Sequence, residues 1–220
     1  MLISHTKKFI FIHNYKVAGT SITKALKPYA DYSYQDTSRF KKLMIKAGLY
    51  PNIFSRSFED HITMEGLHTR LPDRIVKSYF KFGFVRDPWD WQVSLYQYML
   101  KLKNHHQHEL IKGMRSFDEY IAWRVDGNFQ LQKDFFYNHQ GNCVVDFIGK
   151  YEDLIKDFNY VCNEKIRVSA YLPHLNSSRE SKKEYLDYYS QKSIDMVDKA
   201  FQQDIVTFGY VKPEKGTNSL

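Results

Sequence analysis

The chain has 220 residues, 43% hydrophobic and 26% charged, with a net charge of +7 and a 16% aromatic share drawn mostly from 17 Tyr and 16 Phe. These values exclude collagen, coiled coil and disorder, and they suit one ordinary globular domain that buries its own core. The positive balance favours anionic ligands such as nucleotides, acidic glycans, nucleic acid or headgroups, without choosing among them.

In chain order, Phe9 to His13 (FIFIH) is an almost wholly apolar run, as in a strand buried on both faces. A glycine turn and a helix over Thr20 to Leu26 follow. An amphipathic helix around Ser38 to Ile45, a polar loop at Pro51 to Asp60 and a short helix at Met64 to Leu71 fill the next stretch. Tyr79 to Val85 (YFKFGFV) is a second strand, and Pro88 then opens a helix through Leu102. Ser116 to Trp123 and Phe129 to Tyr137 read as helices. Val144 to Ile148 is a third strand, followed by Gly149 and a helix from about Glu152 to Cys162. Further helices fall at Glu184 to Tyr189 and Ser193 to Phe208. Strands alternating with helices predict a single α/β domain over 1–212, a central parallel sheet flanked by helices, followed by a polar tail at 213–220.

Cys143 and Cys162 are the only cysteines. They stand in no metal-ligand spacing and are expected to be buried, reduced packing residues. The sequence holds neither a run of about 18 apolar residues nor a signal-peptide pattern, so a soluble, cytoplasmic protein without a transmembrane segment is expected. In that setting the sequon at Asn176 carries no glycan.

Two strand ends carry chemistry. After the first strand, Lys16-Val17-Ala18-Gly19-Thr20-Ser21 leads into a helix whose free N–H groups and positive dipole end suit an anion. Gly19 permits a tight turn and close approach, Thr20 and Ser21 add hydroxyls, and Lys16 adds charge. The Walker spacing is absent, and the same residues also suit an ordinary helix capped by Ser or Thr. After the second strand, Arg86-Asp87-Pro88 can place a guanidinium on a phosphate, with Ser94 about two turns into the helix as a further donor. A structural ion pair and cap is the competing reading of that turn.

Together, FIFIHNYKVAGTSI and FKFGFVRDPWDWQVSLYQYM resemble the sulfotransferases that use 3′-phosphoadenosine 5′-phosphosulfate (PAPS), in particular the carbohydrate sulfotransferase branch. DFIGKYEDLIKDF, LPHLNSSRE and QQDIVTFGY are similar to later segments of that group. The resemblance implies a nucleotide-kinase-like P-loop fold, PAPS as co-substrate and no metal. Carried over, Lys16, Gly19, Thr20 and Ser21 cradle the 5′-phosphosulfate, and Arg86 and Ser94 hold the 3′-phosphate. Two departures stand out: Asn14-Tyr15 replaces the usual Ile-Pro or Leu-Pro, and Asp87 puts a carboxylate where Asn is frequent.

Sulfuryl transfer to an alcohol needs a base for the hydroxyl proton and positive charge for the departing oxygen. Lys16 suits the second task. His61 in Asp60-His61-Ile62-Thr63 resembles the His-x-Thr element of the carbohydrate branch and suits the first, with Asp60 to orient it. Glu59 and Glu65 are reserve bases, and His68 is a helix-surface residue. The cluster His105-His106-Gln107-His108 lacks a distant ligand set and reads as a solvated loop rather than a metal site. Arg179 either reaches a ligand or simply leads a helix. The expected acceptor is a hydroxyl on a carbohydrate or glycolipid, and nucleic acid is not an expected partner. Two other functions fit less well: an ATP-dependent small-molecule kinase of similar fold, and a non-catalytic basic RNA-binding protein.

Overall fold

A computed structural model describes residues 1–30, 32–33, 61–127, 129–173 and 184–215. The expected helix at 38–45, the loop at 51–60 with Glu59 and Asp60, the Asn176 sequon and Arg179 lie outside the described residues. Along the chain the elements are β1 (Leu2–Ser4), β2 (Phe9–Ile12), α1 (Gly19–Leu26), β3 (Tyr32–Ser33), α2 (Met64–His68), α3 (Asp73–Ser78), β4 (Phe80–Val85) and α4 (Pro88–Lys101). They continue with α5 (His108–Lys112), α6 (Phe117–Asp126), β5 (Phe147–Lys150), α7 (Leu154–Tyr160), α8 (Gln191–Ala200) and α9 (Gln202–Phe208).

The strands form one sheet in the order β3-β1-β2-β4-β5. The two apolar runs become β2 and β4, paired in parallel with Ile12 opposite Gly83, and β5 joins β4 in parallel on its other side. Every residue of β2 is buried, as is every residue of β4 after Phe80. That is the pattern of parallel strands covered on both faces. The parallel part is therefore β2-β4-β5, and an antiparallel margin of β1 and β3 extends it. With only three residues, β1 is too short to show a period. It folds back on β2 through a turn containing Lys8 in the left-handed region, φ 53°.

The chain divides into two compact units, Met1–Val85 with Asp134–Leu175 and Arg86–Lys133 with Asn176–Leu220. In the first, Leu2, Phe9, Phe11, Phe82 and Phe84 from the strands pack with Val17, Ile22 and Leu26 on one hand and Phe158, Val161 and Cys162 on the other. In the second, Trp89 of α4 is fully buried. Its indole donates to Ile194 O at 3.2 Å, while its own carbonyl accepts from Tyr189 Oη at 2.9 Å. Trp91 meets Phe201 edge-on at 6.0 Å, and Phe117 meets Tyr189 at 4.8 Å. Much of the high aromatic content is thus core.

Several expectations are corrected. The third strand starts at Phe147, because Asp146 is held by Lys81: its carboxylate accepts from Lys81 N at 2.7 Å and ion-pairs with Lys81 Nζ at 2.7 Å. The strand runs on through Gly149, where a Cβ would stand 2.5 Å from the Phe84 ring. The helix expected at 129–137 is only a short 3-10 turn, Lys133–Phe135. The backbone N–H groups of Gln132 and Lys133 donate instead to Asp204. The helix after β5 passes into a π-helical turn, Val161–Ile166, that ends at Arg167 with φ 50°. The 184–189 segment is a 3-10 turn at Tyr185–Tyr188, and the last helix breaks at Phe201 into α8 and α9.

Cys162 is buried as expected, and burial pushes its thiol up to about 12. Cys143 is exposed, because it closes a tight turn through Gly141 and faces Tyr137 in an isolated bridge at the surface. His108 is not part of a solvated loop: it is buried, with Nδ1 3.0 Å from Met99 O. Among the described residues no group of three or more His, Cys, Asp or Glu stands ready for a metal, and no helix is long and apolar enough to cross a membrane.

Candidate active site

The loop from β2 to α1 is built on backbone strain. Lys16 and Ala18 both sit in the left-handed region, at φ 56° and 59°. Each such non-glycine residue costs on the order of 1–3 kcal/mol and persists only where its surroundings hold it. Val17 supplies that hold, since it lies between them with its side chain wholly inside the core. Alternating conformations of this kind form a concavity of N–H groups that suits an anion. Ala18 then stands at the N-cap of α1, and no side chain caps that end. The first-turn N–H groups of a helix have no partner within it, and no acidic residue occupies this turn. The ordinary Ser/Thr-capped helix is therefore excluded. Thr20 is exposed and Ser21 is buried, so the two hydroxyls differ in access.

Gly19 has a different reason from the one its position in a turn suggests. Its φ lies outside the left-handed region, so the turn needs no glycine there. A Cβ on Gly19 would stand 1.7 Å from His13 Nε2. The close approach belongs to the His13 imidazole, which lies over the first residue of α1. That imidazole stacks on Phe11 at 5.9 Å and meets the ring of His61 at 4.7 Å.

His61 is held by the same strand end. Its Nδ1 lies 2.9 Å from His13 O. A carbonyl only accepts, so Nδ1 carries the hydrogen and donates. In the neutral ring this makes Nε2 the acceptor, the atom a general base uses. Tyr15 packs against the ring at 3.9 Å between centroids. Two residues on, Thr63 caps α2, its hydroxyl accepting from Gly66 N at 3.0 Å. The His-x-Thr spacing thus couples the imidazole to the start of a helix. Of the reserve bases, Glu65 is engaged with His139 at 3.1 Å. His68 is exposed on the helix surface, as expected, and faces Asp73 at 3.5 Å.

Asn14 and Tyr15 explain themselves physically. Asn14 is fully buried, and its Nδ2 donates to Phe84 O at 3.2 Å, tying the end of β2 to the end of β4. Its Oδ1 accepts from Tyr15 N at 2.7 Å, a bond that a proline in place of Tyr15 has no N–H to make.

The turn after β4 is constructed differently. Asp87 caps α4, its Oδ1 accepting from Trp89 N at 2.9 Å and Asp90 N at 3.0 Å. Its carboxylate is thus turned into the helix end. Arg86 is 4% exposed, and its Nε donates to Asp90 Oδ2 at 2.7 Å in a buried ion pair. Nε–H is one of the five donors of a guanidinium, the group whose fork matches the geometry of a phosphate. Ser94 lies on the same helix and is 2% exposed.

Lys16 on the loop and Gly19, Thr20 and Ser21 in the first turn of α1 thus lie side by side, with His61 bonded to the strand end before them. Arg86, just before the cap of α4, and Ser94, on that helix, belong to the other unit. Residues that sequence reasoning passed over are His13, inside the apolar run, and Gln132. The Gln132 carboxamide both accepts from Arg86 N at 3.0 Å and donates to Arg86 O at 2.7 Å. The alternation of Phe11, His13 and Tyr15 offered a signal for the first; nothing local marks the second.

The family model described as "Sulfotransferase family" matches residues 1–211. The chain is similar to carbohydrate sulfotransferase 11 of Rattus norvegicus, 27% identical over 171 residues that cover 63% of this chain and 49% of that protein. It is likewise similar to carbohydrate sulfotransferase 11 of Mus musculus, 30% identical over 172 residues with the same coverage. The chain spans about half the length of these curated relatives. No solved structure matches significantly.

Proposed function

The chain belongs to the sulfotransferase family, and we propose that it moves a sulfuryl group from PAPS to a hydroxyl on a carbohydrate or glycolipid. The observation that carries this reading is the pairing of an uncapped, strained anion loop at 16–21 with an imidazole whose tautomer is set by the strand end before that loop. The likeness to two carbohydrate sulfotransferases supports a glycan acceptor.

Lys16, Gly19, Thr20 and Ser21 hold the 5′-phosphosulfate end, the backbone by its N–H groups and Lys16 by its charge. Arg86 and Ser94 hold the 3′-phosphate. The bound donor supplies an activated sulfuryl group. His61 Nε2 takes the proton from the acceptor hydroxyl, while its Nδ1–H keeps the ring oriented through His13 O, the part that a carboxylate plays in a catalytic triad. Lys16 offsets the charge that develops on the departing oxygen.

The test is transfer of sulfur-35 from labelled PAPS to a panel of polysaccharide and glycolipid acceptors. His61→Ala is expected to lower turnover roughly 10²- to 10⁴-fold, as loss of a general base does, with donor binding unchanged. Lys16→Ala is expected to abolish transfer. Normal turnover in His61→Ala removes the imidazole from the mechanism, and no transfer by the unaltered protein to any acceptor overturns the reading.

A further inference from the structure

Arg86 gains its direction from a peptide group that is gripped by a side chain. A residue at the end of a strand aims its side chain by the orientation of its own N–H and C=O, and here Gln132 holds both, accepting from the one and donating to the other. The carboxamide stands in for a neighbouring strand and extends the order of β4 by one residue. Just before it, Phe84 O is bonded by Asn14 and Val85 O by Tyr151 N at 2.7 Å. The last three residues before the cap of α4 therefore all have their backbone fixed.

Gln132 is itself anchored. Asp204 of α9 accepts from Gln132 N with Oδ2 and from Lys133 N with Oδ1, each at 2.9 Å. Both Gln132 and Asp204 are fully buried. Burying a carboxylate and a carboxamide is unfavourable unless every atom is bonded, and an apolar pair of similar size would pack at less cost. What the polar pair adds is direction, a set of bonds with one geometry.

We propose that Asp204 and Gln132 form a positioning relay for Arg86, aiming its guanidinium at the 3′-phosphate of the donor while Asp90 holds its Nε. This inference rests on the reading of Arg86 as the 3′-phosphate residue. Gln132 and Asp204 touch no substrate atom in this scheme. They act through Arg86, so their loss changes recognition of one phosphate and leaves the other.

The experiment is calorimetric titration of the whole chain with 3′,5′-diphosphoadenosine and with AMP, which differ by the 3′-phosphate. The quantity of interest is the ratio of the two affinities. Gln132→Met keeps the size of the side chain and loses both bonds. Gln132→Asn keeps the carboxamide on a stem too short to reach both atoms, and serves if the first variant does not fold. Either is expected to cut the ratio at least tenfold with AMP affinity within twofold of the unaltered protein, as Arg86→Lys also does. Lys16→Ala is expected to weaken both ligands and keep the ratio. A merely structural amide would lower both affinities together. If the Gln132 variants keep the full ratio while Arg86→Lys loses it, the relay is wrong and the donor reading stands. If Arg86→Lys keeps it too, or the unaltered protein shows no preference, the assignment of Arg86 fails and the relay falls with it.

Discussion

Two strand-to-helix turns in this protein start from similar material and reach opposite ends. Each follows a buried strand of the parallel sheet, each carries a basic residue, Lys16 or Arg86, and each leads into a helix. At α1 the N-terminus has no side-chain cap and no acid, and two non-glycine residues are held in left-handed backbone before it. At α4, Asp87 occupies the helix end and Asp90 takes an arm of Arg86. The first turn has no side-chain cap, whereas the second is capped by its own carboxylate. A basic residue at a strand end is thus no guide by itself to how the helix behind it satisfies its first N–H groups.

The comparison can be broken most severely at Arg86. Arg86→Ala leaves Asp90 buried without its partner, a change that costs about 3–5 kcal/mol, or roughly 10 °C in a chain of this size. Thermal melting checks it. A melt that does not move means that the ion pair is not the structural tie described. Arg86→Lys keeps the charge without the fork and is the cleaner probe of phosphate recognition.

Next in size is Gly19→Ala. The added methyl meets His13 Nε2, so the ring must leave its place over α1, at a cost of about 1–3 kcal/mol for overpacking. Turnover is expected to fall with the melting point, because His13 O also sets the His61 tautomer. Full activity in this variant would falsify the link between Gly19, His13 and His61.

The smallest effects sharpen the contrast between the two helix ends. Asp87→Ala removes a cap and is expected to lose about 0.5–2 kcal/mol. Ala18→Gly relieves a left-handed residue, and a gain of up to about 1 kcal/mol is expected. Denaturant melts of the two variants should therefore move in opposite directions. Equal losses would mean that the α1 loop stores no strain.

How far these features were legible from sequence follows from their range. The strand at Phe9 is a continuous apolar run and that at Phe80 is broken only by Lys81, the near-continuous pattern of strands buried on both faces. The helix at Pro88 announces itself by Asp at the cap and Pro at the first position. Lys16 through Ser21 stood out for the same local reasons. The shift of β5 to Phe147–Lys150 was not legible, because Asp146 is held by Lys81, 65 residues away. Gln132 lies 46 residues from Arg86 and 72 from Asp204, so no window of sequence contains the three. Gly19 was legible as a constrained glycine, but its reason, an imidazole from the strand, is a fact of packing.

The most direct measurement is the set of backbone amide ¹⁵N shifts and exchange rates at residues 16–21 and 87–91 as 3′,5′-diphosphoadenosine is added. The amides of Gly19 and Thr20 should move and gain protection, while those of Trp89 and Asp90, already bonded to Asp87, should keep their exchange rates. Protection gained at Trp89 and Asp90 with no change at 16–21 would contradict the account, since the 5′-phosphate would then not be held by the first turn of α1.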